Sequence, residues 1–414
     1  MAKLAINGGP KAAEGVELPK WPLLHEEDKK AVLDALESRR WCRIYPGSRV
    51  EQFEKAFAAY HDAQHGIAAS NGTAALELAL RACGIRAGDE VLVPAVTFIA
   101  SAGAIVTGAA AVPVFVDSDP ETLSISADGI EEAITDRTKA VLAVHYGGYP
   151  VDFDRILPIV QKHDLVLIED CAHGQGTEWK GRKVGTFGKM GAFSFQETKA
   201  LAAGEGGIVL TNEAEVAERA RLLHNIGRVV GRPGYEHHVL ASNFRMLELQ
   251  AALLLTQLQR YQRDQVRAKH EWGELLAEGL RRIGGVEPLR RDERITQRGY
   301  YFFVIRYDGK HFGGAHRDRF VEALKAEGVP CGAGYGMPLY RQPAFKREKI
   351  EPLLPECSKP WPDYSHMHLP VAEHFCAEEQ VTLPHQVLLA GRQGMQMVLD
   401  AVGKIKGNSA ELAA

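Results

Sequence analysis

The chain has almost no charge of one sign to spare: across 414 residues, 49 Lys and Arg stand against 53 Asp and Glu, a formal net charge of −4 with His neutral. Coating nucleic acid or an anionic membrane needs a concentrated basic face, so neither is expected as the main task. Cysteine is sparse too. Cys42, Cys83, Cys171, Cys331, Cys357 and Cys376 lie scattered with no CxxC, the usage of reduced thiols in a cytosol rather than of structural disulfides. The opening MAKLAINGGPK has no apolar segment followed by a small-residue cleavage site, and a cytoplasmic protein is the expectation.

Several local fingerprints are missing. No GxGxxG follows a strand-like run, and neither GxxxxGK[ST] nor HExxH occurs, which leaves nicotinamide-dinucleotide, P-loop and zincin chemistry without support. The nearest approach to a metal cluster is His366, His368, His374 and Cys376 in HMHLPVAEHFC. Only His366 and His368 could chelate together, on a strand, and zinc needs a third and fourth ligand; a polar surface segment and no metal is expected. One long uncharged run exists, the 26 residues from Val91 to Val116, but Pro94, Gly103, Gly108 and Pro113 punctuate it. It reads as strand, buried helix, strand rather than as a membrane span.

What is present is a rhythm of short β-branched runs: VLVPAV (91–96), VPVFV (112–116), AVLAVH (140–145), LVLIED (165–170), GAFSF (191–195) and GIVLT (207–211). Amphipathic or small-residue helical stretches such as TAALELALRA and FDRILPIVQKH alternate with most of them. That alternation predicts an α/β fold, a mostly parallel sheet sandwiched by helices, with ligands beyond the carboxyl ends of the strands. A helical pattern from Met246 exceeds ordinary helix length and is expected to bridge two domains. From about Val286 the texture shifts to short strands, an amphipathic helix and a Pro-rich segment, as in a smaller α+β C-terminal domain. The expected division is an N-terminal arm (1–25), a large domain (26–265), a small domain (266–405) and a tail (406–414).

Chemistry concentrates just after the runs. Asp170 ends LVLIED, where burying a carboxylate is costly unless a cation or donor meets it; the plainer alternative is a helix cap or loop residue. Ser194 and Lys199 fall in a loop between two apolar strands, ahead of the turn Gly204-Glu205-Gly206-Gly207. A lysine there is either a solvated charge or, if desolvated, an amine nucleophile with a lowered pKa. Asn71-Gly72-Thr73 opens TAALELALRA, an ordinary capped start or an anion site. A helix terminus contributes only about 0.3–2 kcal/mol to a bound anion, so a phosphate dianion would need more donors, Ser194 among them.

Together SNGTAALELAL (70–80), GDEVLVPAVTFIAS (88–101), VFVDSD (114–119), VHYGGYPVDFD (144–154), LIEDCAHGQG (167–176), SFQETKALAAGEGG (194–207) and SNFRMLELQAA (242–252) resemble the motifs of the DegT/StrS sugar-aminotransferase family. The resemblance implies an aspartate-aminotransferase-like fold type I enzyme dependent on pyridoxal 5′-phosphate, with the large domain as cofactor-binding domain. It further implies that Lys199 is the Schiff-base amine and proton carrier. Asp170 would pair with the pyridine nitrogen, His173 would lie near the phenolic oxygen and Phe98 would stack on the ring. Gly72, Thr73 and Ser194 would bind the phosphate, joined by Asn243 from the neighbouring subunit of a homodimer. His145 would lie near the carbohydrate. The implied reaction moves an amino group from L-glutamate or L-glutamine to the ketone of a sugar or cyclitol. The long N-terminal segment and LPVAEHFCAEEQVTLPHQVLLAG look more like the branch acting on free cyclitols, or forming an aminohydroxybenzoate, than like the nucleotide-linked sugar branch. Related dehydratases carry His at the lysine position, so Lys199 favours transamination. Other readings are a dehydrating and aromatising enzyme and a non-catalytic regulatory homologue.

Overall fold

In a computed structural model, which describes residues 3–230, 232 and 234–413, seven strands form one sheet. They are β1 (His65–Ala69), β2 (Glu90–Pro94), β3 (Val112–Val116), β4 (Thr138–Val144), β5 (Val166–Asp170), β6 (Met190–Ser194) and β7 (Gly207–Thr211). Their spatial order is β1-β7-β6-β5-β4-β2-β3. β3, β2, β4, β5 and β6 run parallel, and β7 alone is reversed, pairing antiparallel with β6 and with β1.

The β-branched runs become strands because they are buried on both faces, as a helix-covered parallel sheet requires. Successive side chains leave opposite faces: Val91, Val93, Leu142, Val144 and Ile168 feed one core, while Leu92, Val141, Ala143 and Leu167 feed the other. The uncharged run resolves as expected into β2, the helix Ile99–Ala109 and β3. Among the described residues no helix is long and apolar enough to cross a membrane.

The parallel order brings the ends of β1, β2, β5 and β6 to one edge of the sheet, and reversed β7 begins there at Gly207. Glycine is required at this corner. A Cβ on Gly207 would lie 2.3 Å from the Asn71 carbonyl oxygen, and one on Gly72 would lie 2.6 Å from Ser194 Cβ. The helix start after β1 and the end of β6 can therefore touch across β7.

The helical stretch from Met246 is interrupted once. Helices Glu248–Arg260 and Val266–Ile283 are joined by a π-helical turn, Tyr261–Gln265, the kind of local widening that accommodates a change in packing partners. Beyond it a second core forms on an antiparallel sheet of β8 (Val286–Pro288), β9 (Phe302–Tyr307) and β10 (Gln380–Pro384), in that order. Helices Arg317–Ala326 and Gly391–Gly407 supply Phe320, Leu324, Val398 and Val402 to it. Both ends of the chain join this core: Leu4, Ala13 and Leu412 are buried in it, and Leu4 N donates to Glu411 Oε2 at 3.2 Å.

Candidate active site

Asp170 is the last residue of β5 and is buried. Ser101 Oγ donates to its Oδ2 at 2.8 Å and Ala172 N to its Oδ1 at 3.1 Å; Ser101 is itself paired with Thr97 Oγ1 at 2.8 Å. Burial pushes the carboxyl above its ordinary range, against the pull of the Ser101 and Ala172 hydrogen bonds and the Lys199 charge. A carboxylate offers about four acceptor positions and only two are taken here. That unfilled capacity, at the strand tip, fits a protonated ring nitrogen.

Lys199 sits in the loop after β6, with Nζ 4.0 Å from the Tyr301 ring centroid. Burial lowers its amine to about 8, with Asp170 opposing the shift. Tyr301 also stacks on His173, centroids 4.3 Å apart at 22°, and its hydroxyl meets Thr198 Oγ1 at 2.8 Å. His173 is buried, and desolvation first, then the Lys199 charge, hold its pKa well below the ordinary value. Gly147 N donates to His173 Nδ1 at 3.4 Å, which assigns the proton of the neutral ring to Nε2.

At the glycine corner, Asn71 Oδ1 caps Ala74 N at 2.8 Å and the Asn71 carbonyl accepts from Ala75 N at 3.0 Å. Among the described residues the amides of Gly72 and Thr73 then have no internal partner, and Thr73 is exposed beside buried Ser194. Two free amides at a helix start with two hydroxyls form a cradle for a phosphate. Phe98, at the start of helix Ile99–Ala109, leaves its ring 53% exposed, an uncovered aromatic face on the same edge. The residues present thus fit pyridoxal phosphate at its ring nitrogen, its ring face and its phosphate.

Two expected residues stand apart. Asn243 is exposed on the loop before helix Glu248–Arg260, and its Oδ1 accepts from Arg245 N at 3.2 Å rather than meeting any residue of this constellation. His145 does not face a carbohydrate. It is wholly buried, with Nε2 donating to Glu169 Oε2 at 3.1 Å and Nδ1 accepting from Val151 N at 3.3 Å. Glu169 also accepts from the amides of Gly185, Phe187 and Gly188 at 2.7–2.8 Å. Cys171 lies close enough to these two to complete a metal-like triad, but the imidazole and carboxylate positions are already filled by hydrogen bonds that fix the loop Gly185–Gly188. The HMHLPVAEHFC histidines disperse: His368 pairs with Glu373 at 3.0 Å, His374 with Glu379 at 3.2 Å, and Cys376 is buried.

The sequence reading missed Ser101, Thr97 and Tyr301. Ser101 lies inside the uncharged run, in the first turn of the helix Ile99–Ala109, and nothing in the local pattern singles it out. Tyr301 precedes β9 and carried no signal in the sequence.

The sheet order, with an acid at the tip of β5 and an amine after β6, defines the fold type I class of pyridoxal-phosphate-dependent enzymes. Within that class the chain belongs to the DegT/DnrJ/EryC1/StrS aminotransferase family, which it matches over residues 22–387, and it is an aminotransferase. It is 39% identical to a putative L-glutamine:3-amino-2,3-dideoxy-scyllo-inosose aminotransferase of Micromonospora echinospora, over 98% of this chain and 97% of that one. It is 36% identical to an L-glutamine:2-deoxy-scyllo-inosose aminotransferase of Streptomyces kanamyceticus, over 100% and 99%. Among solved structures it is similar to a 3-amino-5-hydroxybenzoic acid synthase, with a TM-score of 0.82 and 33% identity over 95% of this chain and 98% of that one.

Proposed function

We propose that the chain transfers an amino group from L-glutamine to the ketone of a free cyclitol of the scyllo-inosose type, using pyridoxal 5′-phosphate. The single observation behind the chemistry is that buried Asp170 and Lys199 stand at one sheet edge near enough for each to act on the other's charge, with the amine lowered to about 8. Donor and ketone are taken from the full-length similarity to cyclitol aminotransferases.

When bound, the cofactor carries the amino group and accepts the electron pair released at the substrate carbon. The protein's own part is to hold and to move protons. Asp170, kept short of donors, holds a proton on the ring nitrogen. His173 donates from Nε2 to the phenolic oxygen while its ring stays neutral. Lys199, with a pKa near working pH, takes a proton from the carbon bearing nitrogen and returns it, as efficient acid–base transfer requires. Gly72, Thr73 and Ser194 hold the phosphate, and Phe98 covers the ring. One helix terminus and two hydroxyls are few donors for a dianion, so we assign the remainder to Asn243 of a second copy. Exposed Trp41 and Leu247 beside that loop, joined through the Cys42–Leu247 bridge, support a covered face there.

The test is direct. The purified protein should show a visible band that borohydride bleaches and that is absent in Lys199→Ala, and L-glutamine should discharge it. The resulting form should aminate scyllo-inosose or its 2-deoxy analogue with a mass change of oxygen for nitrogen. Loss of a further water would instead indicate the dehydrating reading, and a protein that takes up no cofactor would overturn both.

A further inference from the structure

A cavity of about 540 Å³ opens beside the lysine loop, within the usual size range of small-molecule sites, about 300–1,000 Å³. Tyr301 links the two places: its ring meets Lys199 Nζ at 4.0 Å and the His173 imidazole at 4.3 Å, and the residue also lines the cavity. Trp21 forms part of the wall, and its Nε1 donates to the Glu197 carbonyl at 2.9 Å. Trp21 meets His385 edge-on, centroids 4.3 Å apart. His385 is 2% exposed, yet among the described residues neither ring nitrogen has a hydrogen-bond partner within bonding geometry. The Thr198 backbone lies close to the imidazole and partly offsets the effect of burial on its charge. Gln386 Oε1, also in the lining, is likewise unpartnered.

Buried polar groups are normally paired, so an imidazole with one donor and one acceptor free is chemistry awaiting a ligand. A hydroxyl, which both donates and accepts, meets that need. The other walls agree. Trp21 and Phe302 offer aromatic surface for the C–H side of a saturated ring, while Glu197, Thr198 and Thr382 offer polar groups for its edge. The lining holds one carboxylate and no Lys or Arg, which suits an uncharged ring and opposes a diphosphate. We propose that this cavity receives the uncharged polyhydroxylated ring of the ketone substrate, with Trp21 closing over its face and His385 hydrogen-bonding a ring hydroxyl. The proposal rests on the aminotransferase reading above.

Trp21→Ala and His385→Asn test it, with Trp21→Phe as the conservative control. Expected are a rise of about tenfold or more in KM for the cyclitol ketone in the first two, near-normal behaviour in the third, and a single-turnover rate with L-glutamine within about twofold of the parent, since a tenfold change is the loss of one ordinary interaction. Unreactive scyllo-inositol, titrated calorimetrically into the protein, should bind the parent and Trp21→Phe but not Trp21→Ala. Unchanged KM and unchanged scyllo-inositol binding in Trp21→Ala would overturn the proposal, as would an equal loss in the L-glutamine half-reaction. Trp21 is in the N-terminal segment, so that variant decides the matter even if His385→Asn fails to fold. A parent enzyme inert toward L-glutamine and toward both cyclitol ketones would instead overturn the underlying reading, whatever the variants do.

Discussion

Lys199 and Asp170 pull each other's protons in opposite directions, and burial acts against both charges. The lysine effect has a definite sign. With the folded pKa lowered to about 8 and an unfolded value near about 10.4, the unfolded chain binds more protons between those limits, so the lysine's cost to the cofactor-free protein falls as pH rises through that window. Lys199→Met should therefore raise the melting temperature of the cofactor-free protein most at pH 7 and progressively less toward pH 10. Competitive labelling of the amines should show Lys199 reacting with a midpoint near 8 while surface lysines titrate about two units higher; a midpoint above 10 would contradict the burial argument. Asp170→Asn should keep the fold and lower kcat on the order of 10²-fold or more in steady-state assays, because the ring nitrogen loses its anionic partner. At this scale the sequence was informative where chemistry sits at the end of a run, as at Asp170, Ser194 and Lys199. It was silent on Ser101 and Tyr301, whose contacts come from a neighbouring strand connection and from a segment about 100 residues away. His145 misled for a related reason. It follows β4 at the ligand edge, but its side chain turns beneath that edge to Glu169, and no one-dimensional pattern records which way a loop residue turns.

The corner formed by the helix Gly72–Ala82, β6 and β7 is the element on which the proposed phosphate binding depends. Gly72→Ala would drive a Cβ to within 2.6 Å of Ser194 Cβ, forcing apart the groups that share the phosphate. Cofactor affinity, measured by equilibrium titration of the cofactor-free protein, should fall about tenfold or more, with a modest loss of thermal stability; an unchanged affinity would separate the glycine from phosphate binding. Element types were largely legible, because doubly buried β-branched runs have few alternatives to a parallel sheet. The reversal of β7 was not, since GIVLT reads the same in either direction of pairing. Nor was the π turn at Tyr261–Gln265, which occupies an uninterrupted helical pattern and is anchored by long-range bonds such as Tyr261 Oη to the Gln175 carbonyl at 2.7 Å.

For the whole molecule, the open question is whether one chain suffices. If Asn243 serves a neighbour's phosphate, mixing inactive Lys199→Ala with inactive Asn243→Ala subunits should recover about a quarter of the parental activity per site in statistically mixed dimers, where a full complement of groups meets at one site of each heterodimer. No recovery in verified mixed dimers would confine each site to its own chain. The order in which the cores can be completed follows from where their residues lie in the sequence. Every strand of the seven-stranded sheet has been synthesised by Thr211, so that sheet can assemble while the ribosome is still working on the remainder. The second core closes later: it takes in Leu4 and Ala13 together with Leu412, and Leu4 is tied to Glu411 across a sequence separation of 407. Domains fold as units during synthesis, and here Leu4 and Ala13 reach their full packing only after Leu412 has been made. Trp21 packs on His385, just past the last strand of the smaller sheet, so the cavity proposed for the ketone takes shape only after both sheets have been made.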